Sequence, residues 1–170
     1  MTAETPHVEL IRSHALDAAE RDAVLSLSIS PEQLEFAGGV ARSVEACDAG
    51  DPAEIAGLAI REAGAVVGWV ALKRGASAPD WVEDGAVAVS GLRIDSRHQG
   101  RGIGPAALAE LARWIRRHWP EASRLVLRVD EGNDAGNDAG IRAYEKAGWV
   151  EAGARRAGRV GLERTMALAL

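Results

Sequence analysis

The chain has 170 residues, of which 47% are hydrophobic and 26% charged, and its formal net charge is −5. This composition is typical of a folded globular protein and excludes a disordered one. We expect a single domain over residues 1–170, since one hydrophobic core commonly serves a chain of this length. The acidic balance disfavours a nucleic-acid partner, because phosphate backbones bind basic surfaces.

The cysteine and histidine content excludes several kinds of site. The one cysteine, Cys47, can form neither an intrachain disulfide nor a thiolate zinc cage. The four histidines are scattered without metal-ligand spacing, so no metal is expected. No apolar run is long enough to span a membrane, and the N-terminal residues lack the apolar core of a signal peptide. These features predict a cytoplasmic protein without a membrane partner.

The hydrophobic period changes along the chain and predicts the secondary structure. In chain order we expect a strand over 8–12, helices over 16–27, from Ser30, and over 40–49, a hairpin of strands over 55–61 and 65–72, a strand over 86–95, a helix over 102–119, a strand over 124–129, a helix over 141–147, and strands over 149–152 and 162–168.

The strand–helix–strand unit within residues 86–129 predicts a parallel strand pair, because such crossovers are right-handed within one sheet. The flanking hairpins predict that the rest of the sheet is mostly antiparallel. No linker divides the chain. The expected fold class is therefore a mixed α/β (α+β) domain.

A glycine-rich loop stands between the predicted strand over 86–95 and the amphipathic helix that follows. Its residues are Gln99, Gly100, Arg101, Gly102, Ile103, Gly104 and Pro105. Glycines let backbone N–H groups approach a ligand closely, and a helix N-terminus attracts anions, so the pattern predicts a phosphate cradle. A dinucleotide fingerprint would need glycine at Pro105, and a P-loop would need a lysine that the segment lacks. The alternative is a structural turn that binds no ligand.

Two motifs in combination resemble the GNAT superfamily of N-acetyltransferases. Gln99-x-x-Gly102-x-Gly104 resembles the motif that holds the acetyl-CoA pyrophosphate, and Asn137-x-x-Gly140-x-x-x-Tyr144 with the following EKAGW resembles a later motif of the family. The resemblance implies a mostly antiparallel sheet of six to seven strands flanked by helices. It also implies a splayed parallel pair at the acetyl-CoA cleft.

The later motif contains a tandem repeat, NDAG at 133–136 and again at 137–140. Counted from the preceding strand, the family spacing selects Asn133, whereas counted back from Tyr144 it selects Asn137. We favour Asn137 as the cofactor-side asparagine, because its relation to Tyr144 is kept whichever copy is the insertion.

The resemblance assigns roles to residues of both motifs. Acetyl-CoA would be the co-substrate, its pantetheine pairing with the backbone of Leu92, Arg93 and Ile94 and its pyrophosphate lying on the loop over 99–105. An amine would attack the thioester directly in a ternary complex, with Tyr144 as general acid for the leaving thiolate. The alternative for Tyr144 is a packing role against Trp149.

The acceptor is expected to be a small-molecule amine. The segment around Gln33 and Phe36 resembles the spermine/spermidine acetyltransferase-like subset of the family, which favours a polyamine. Glu35 and Phe36 are acceptor-side candidates, and Glu83 is a candidate for relaying a proton. The alternative is that Gln33 and Phe36 only cap and anchor a helix.

Two other functions stay open. One is a non-catalytic acyl-CoA-binding or sensory domain of the same fold, and the other is an acetyltransferase that acts on protein amines. Residues 165–170 are apolar to the last residue, which is compatible with burial in a homodimer or in the core.

Overall fold

The computed structural model describes residues 4–31, 34, 39–131, 138–158 and 161–170. The strands are β1 Val8–Arg12, β2 Ile55–Glu62, β3 Ala65–Lys73, β4 Ala86–Ile94, β5 Arg124–Glu131, β6 Val150–Glu151, β7 Arg156–Ala157 and β8 Leu162–Ala169. We number the helices α1 Ala18–Leu25, α2 Val40–Ala49, α3 Ile103–His118 and α4 Asp138–Lys146. Short 3₁₀ turns cover Ser13–Ala15, Gly75–Ser77 and Ser96–His98.

The predicted elements are present, with small shifts at their ends. The first helix begins at Ala18 rather than at residue 16, because Asp17 caps it: its carboxylate accepts from Glu20 N–H, and the Glu20 carboxylate accepts from Asp17 N–H. The helix expected from Ser30 lies mostly outside the described residues. Its described part includes an i→i+4 backbone bond from Leu34 N–H to Ser30 C=O.

The strands form one mixed sheet in the order β1-β2-β3-β4-β5-β8-β6, with β7 also paired to β8. Only β4 and β5 pair in parallel among the described strands, as the crossover rule predicts. The described residues contribute eight strands to the sheet, where the resemblance implies six to seven. The additional strand is β7, whose two residues pair along β8.

The helices cover the sheet on both faces. On one face, α3 and α4 pack over the main core, which includes Leu111, Ile141 and Trp149. On the other face, α1 and α2 pack over β2 and β3, where Val44 and Trp69 are buried. Strand side chains alternate between the two faces, so β2 and β3 contribute to both cores. No helix in the described part of the chain is long and apolar enough to cross a bilayer.

The turn between β2 and β3 contains a residue in an unfavourable conformation. Glu62 pairs with Ala65 across a two-residue turn in which Ala63 and Gly64 both have positive φ, 49° and 82°. This is the geometry of a type I′ hairpin, which favours Asn-Gly. Alanine is strained there because its Cβ crowds the backbone.

Ala63→Asn is expected to raise the free energy of unfolding by about 0.5–1 kcal/mol, because asparagine adopts the left-handed region more readily than alanine. Urea denaturation with an unchanged m-value measures the gain. The matched control is Ala65→Asn at the adjacent exposed strand position, where no gain is expected because asparagine is disfavoured in strands. Equal urea midpoints for the wild type and Ala63→Asn would show that the backbone at Ala63 is not strained.

Candidate active site

The parallel strands β4 and β5 separate soon after they pair. Their parallel register extends only over Ala86–Ala88 and Arg124–Val126. Beyond this point β4 continues along β3, and β5 continues along β8. The two strands therefore enclose an open cleft at their carboxyl ends, the splayed pair that the resemblance implies.

A bulge in β4 accompanies the separation. Trp69 lies opposite Arg93 and Ala71 opposite Ser90, so that two residues of β4 face the single residue Val70. One of them is Gly91, whose φ of 62° lies in the left-handed region. Such a bulge bends a strand and exchanges the faces of the residues that follow it.

Beyond the bulge, the backbone of β4 presents alternate residues to the cleft. A Cβ built on Gly68 of β3 would lie 2.5 Å from the carbonyl oxygen of Arg93, so this carbonyl points towards β3. Because the peptide groups of successive residues face opposite edges of a strand, Leu92 and Ile94 direct theirs towards the cleft. The Arg93 side chain is buried on the α1–α2 face, where its Nε donates to Gly91 C=O at 3.1 Å, and burial lowers its pKa.

Asp95 anchors the turn that follows β4. Its fully buried carboxylate accepts hydrogen bonds from Ser28 N–H at 3.0 Å and Arg97 N–H at 3.0 Å, and it forms an ion pair with the Arg97 guanidinium at 2.8 Å. Hydrogen bonding to Arg97 holds the pKa of Asp95 far below its usual range. Asp95 thus ties the segment after α1 to the start of the glycine loop. This role of Asp95 was not predicted from the sequence.

The glycine loop is built to expose N–H groups. Gln99 donates its side-chain amide to Ile94 C=O at 2.8 Å, which fixes the loop to the end of β4. Gly100 and Gly102 have φ of 75° and 80°, and a Cβ at Gly100 or Gly104 would meet no atom within 4 Å. The first helical bond of α3 runs from Ala106 N–H to Gly102 C=O.

The N–H groups of residues 100–104 have no backbone partner among the described residues. Pro105 has no N–H to offer, and Ile103 turns its side chain into the core. With the positive end of the α3 dipole behind them, these N–H groups can bind an anion, and we call this place the anion site. Arg101 lies beside it, hydrogen-bonded to Glu62 and His98 at 3.1 Å each, so its charge is shared with a carboxylate.

An apolar groove of ≈ 370 Å³ lies between α3 and α4, next to the anion site. Its lining residues are Pro105, Leu108, Ala109, Ala143, Lys146, Ala147, Trp149 and Leu168. The indole Nε1 of Trp149 is buried without a partner among the described residues. The groove has room for an elongated ligand whose anionic group is held at the start of α3.

Tyr144 lies on α4, half-buried against the main core. Its ring centroid is 5.5 Å from that of Trp149, so it makes the packing contact considered as its alternative role. Burial raises the pKa of Tyr144 to about 12. The phenol therefore keeps its proton throughout the neutral and mildly alkaline range.

The acceptor-side candidates are only partly within the described residues. Asn137, Glu35 and Phe36 lie outside them. Glu83 is three-quarters exposed and forms an ion pair with Arg124 at the beginning of β5, far along the strand from the cleft. Within the described ranges no cluster of His, Cys, Asp and Glu could hold a metal ion.

A second pocket, which was not predicted from the sequence, lies on the face of β5 and β8 that α3 and α4 do not cover. Arg124 and Arg128 stand four positions apart in β5 and share that face. No sequence signal showed that residues 152–156 would return over it.

A model of the acetyltransferase (GNAT) family matches residues 21–149. Among solved structures, an acetyltransferase from Thermus thermophilus is similar at 22% identity and a TM-score of 0.68, with 100% of each chain covered. The aminoglycoside acetyltransferase AAC(6')-Ib, solved with ribostamycin and coenzyme A, is 18% identical at a TM-score of 0.69, covering 98% of this chain and 94% of its own.

A ribosomal-protein-alanine N-acetyltransferase from Brucella melitensis is 25% identical at a TM-score of 0.53, with 68% of this chain and 69% of its own covered. No protein of curated function matches the sequence.

Proposed function

The chain belongs to the acetyltransferase (GNAT) family, whose model spans residues 21–149, and we propose that it transfers the acetyl group of acetyl-CoA to the nitrogen of a primary amine. One observation carries the proposal: the cleft between β4 and β5 opens beside the exposed N–H groups at the start of α3. This arrangement suits a long ligand with a pyrophosphate at one end and a reactive group at the other. The coenzyme A in the structure of the aminoglycoside enzyme supports the choice of ligand.

The donor would be held mainly by backbone groups. The N–H groups of residues 100–104 bind the pyrophosphate, and the glycines allow the close approach. The pantetheine extends along the free edge of β4, where Leu92 and Ile94 offer their peptide groups. An N–H at Ile94 is placed to stabilise the negative charge that develops on the thioester oxygen. Arg93 contributes its side chain to the opposite face rather than its backbone to the cleft.

The chemical step is a direct attack. The amine nitrogen forms a bond to the thioester carbon, the C–S bond breaks, and coenzyme A leaves as a thiolate. The Tyr144 phenol donates a hydrogen bond to the thiolate sulfur, while the attacking nitrogen, which becomes positively charged as the bond forms, loses a proton to water or a nearby base to give the neutral amide. A primary alkylamine with a pKa of about 10.4 costs roughly 4.6 kcal/mol to deprotonate at pH 7, so its turnover rises steeply towards pH 9.

Gly104→Ala separates stability from donor binding. Gly104 lies within α3, its Cβ would enter open space, and alanine is the better helix former, so the free energy of unfolding is expected to rise by about 0.5–1 kcal/mol. The same methyl group would occupy the space that the pyrophosphate needs. We expect the dissociation constant of acetyl-CoA, measured by calorimetry, to rise about tenfold or more, which corresponds to about 1.4 kcal/mol.

The matched control is Gly39→Ala, at a glycine that also faces open space with negative φ but lies at the start of α2. Its affinity for acetyl-CoA should stay within about twofold. If Gly104→Ala bound acetyl-CoA as tightly as the wild type, the glycine loop would not be part of the acetyl-CoA site.

The test of the proposed function is thiol release from acetyl-CoA with a panel of amines, each product being identified by mass spectrometry. The panel contains spermidine, cadaverine, an aminoglycoside, free amino acids and a peptide with an α-amino terminus. N-acetylation of one class supports the proposal. Tight binding of acetyl-CoA without thiol release would instead favour the non-catalytic acyl-CoA-binding domain.

The polyamine hypothesis depends mostly on Gln33, Glu35 and Phe36, which lie outside the described residues. Glu45, on the exposed side of α2, is the described acidic residue of that region. Spermidine in the panel tests this hypothesis directly.

A further inference from the structure

The second pocket lies on the sheet face opposite α3 and α4, and its volume is ≈ 540 Å³. Residues of β5 and β8 form its floor, and two chain segments, 81–83 and 152–156, form its walls. Val126 and Thr165 belong to the floor, whereas the neighbouring Leu127 and Met166 face the main core on the other side. The pocket is therefore separated from the α3–α4 groove by the thickness of the sheet.

The position of this pocket relates it to the cleft. Val126 is the last residue of β5 that pairs with β4, and Arg128 follows it on the same face, where the strands have begun to part. The pocket thus borders the edge of β5 at the point where the strands part, on the side opposite the α3–α4 groove. An acceptor must approach the thioester from such a side, because the donor fills the other.

The charged lining is predominantly basic. Arg124, Arg128 and Arg156 line the pocket, and Glu83 is its one acidic lining residue among those the structure describes. Glu83 is engaged by Arg124. Arg156 lies on β7 and forms no ion pair with any residue in the described ranges.

Arg128 is held in place but incompletely neutralised. Its guanidinium lies 4.2 Å from the ring centroid of Trp81, and its Nη1 is 4.0 Å from a carboxylate oxygen of Glu163, at the limit of an ion pair. Its buried Nε has no partner in the described part of the chain. Burial and the neighbouring charge of Arg156 lower the pKa of Arg128, and the carboxylate of Glu163 only partly opposes them.

We infer that this pocket binds the oxyanion of the acceptor, so that the amine to be acetylated carries a carboxylate or a phosphate at its other end. The inference rests on the proposed function and specifies its substrate class. Arginine forks match the planar geometry of carboxylates and the oxygens of phosphates. The apolar body of the acceptor packs on Trp81 and Val126, and a polyamine would place like charge beside Arg128 and Arg156.

The experiment compares amines that share a carbon skeleton and differ in the charge of a second group. 5-Aminopentanoate, pentylamine and cadaverine carry a carboxylate, a methyl and an ammonium group on the same chain. L-Phenylalanine and phenethylamine repeat the comparison at shorter spacing, and O-phosphoethanolamine against ethylamine tests phosphate. We expect kcat/KM to be at least tenfold higher for an oxyanion-bearing member than for its neutral partner, and lowest for cadaverine.

The variants Arg156→Gln and Arg128→Gln should each lower that preference, the ratio of kcat/KM for the oxyanion-bearing acceptor to that for its neutral partner, about tenfold, mostly through the KM of the oxyanion-bearing acceptor. Arg155→Gln is the matched control, since Arg155 adjoins Arg156 but pairs with Glu131 and Glu151 and does not line the pocket. Its preference should equal that of the wild type. The inference is overturned if cadaverine or the neutral amines are better acceptors, or if both pocket variants keep the wild-type preference.

Failure of the proposed acetyl transfer can be distinguished from failure of the oxyanion site. If no amine releases thiol, calorimetry of 5-aminopentanoate, L-phenylalanine and O-phosphoethanolamine with the coenzyme A complex still tests the pocket. Binding that is weakened in Arg156→Gln but not in Arg155→Gln supports an oxyanion site. The absence of binding overturns it.

Discussion

Tyr144→Phe is expected to lower kcat about 10²-fold, the lower end of the effect of a positioned acid, and to leave the dissociation constant of acetyl-CoA within about twofold. The pKa of Tyr144 is raised to about 12 by burial. A thiol has a pKa of about 8.5, so complete proton transfer from this phenol to the thiolate is uphill by roughly 5 kcal/mol. The phenol therefore acts as a hydrogen-bond donor that stabilises the thiolate as it forms, and phenylalanine removes that bond alone.

The pH dependence of kcat follows from the raised pKa of Tyr144. Because the pKa of Tyr144 is raised, the phenol remains protonated well beyond pH 9, and its ionisation causes no loss of kcat there. Pre-steady-state thiol release by wild type and variant between pH 6 and pH 9 measures both effects. If Tyr144→Phe kept a kcat within twofold of the wild type, the role of Tyr144 would be its packing contact with Trp149, which phenylalanine can also make.

Asp95→Asn is expected to reduce the free energy of unfolding at pH 7 by about 2–3 kcal/mol. The carboxylate is fully buried and accepts from two backbone N–H groups and from the Arg97 guanidinium. Hydrogen bonds to a charged group contribute about 1.5–3 kcal/mol, and asparagine has one acceptor oxygen in place of two. Because the same carboxylate holds the start of the glycine loop, the affinity for acetyl-CoA should fall as well.

The dependence on pH distinguishes this ion pair from simple packing. The folded-state pKa of Asp95 is depressed, so its contribution is complete above the unfolded value of about 3.9 and is lost as the pH falls below it. The difference in urea midpoint between wild type and Asp95→Asn should therefore be constant from pH 5 to pH 8 and shrink below pH 4. Asp80→Asn, at an exposed loop position, should show no difference at any pH. A difference that stayed constant below pH 4 would contradict the charge-based account.

The local periodicity of hydrophobic residues was enough to locate most helices and strands. The change from alternating to helical periodicity located β4, α3 and β5 within a few residues, and the crossover rule made β4 and β5 parallel. β7 was not predicted, because this two-residue strand exists only by pairing with β8. Such short strands carry no periodicity of their own.

The candidate donor site was also predicted largely from sequence, because it consists of contiguous residues. A glycine loop followed by an amphipathic helix places its N–H groups in one direction whatever surrounds it. The orientation of Arg93 was not predictable, since the bulge at Gly91 exchanges the faces of the residues after it. Asp95 was missed for a related reason: its partner Ser28 is 67 positions away in sequence.

Sequence by itself determined the mixed sheet, the parallel pair, the glycine loop and the place of Tyr144, because each depends on neighbours in the chain or on a fixed motif. Only the tertiary structure decided the charge of the second pocket. Its arginines come from β5 and β7, its tryptophan from the segment before β4, and the return of residues 152–156 over β8 brings them together. A net charge of −5 for the whole chain indicated nothing about this surface, because electrostatic recognition depends on where charges lie and how far they are withdrawn from water.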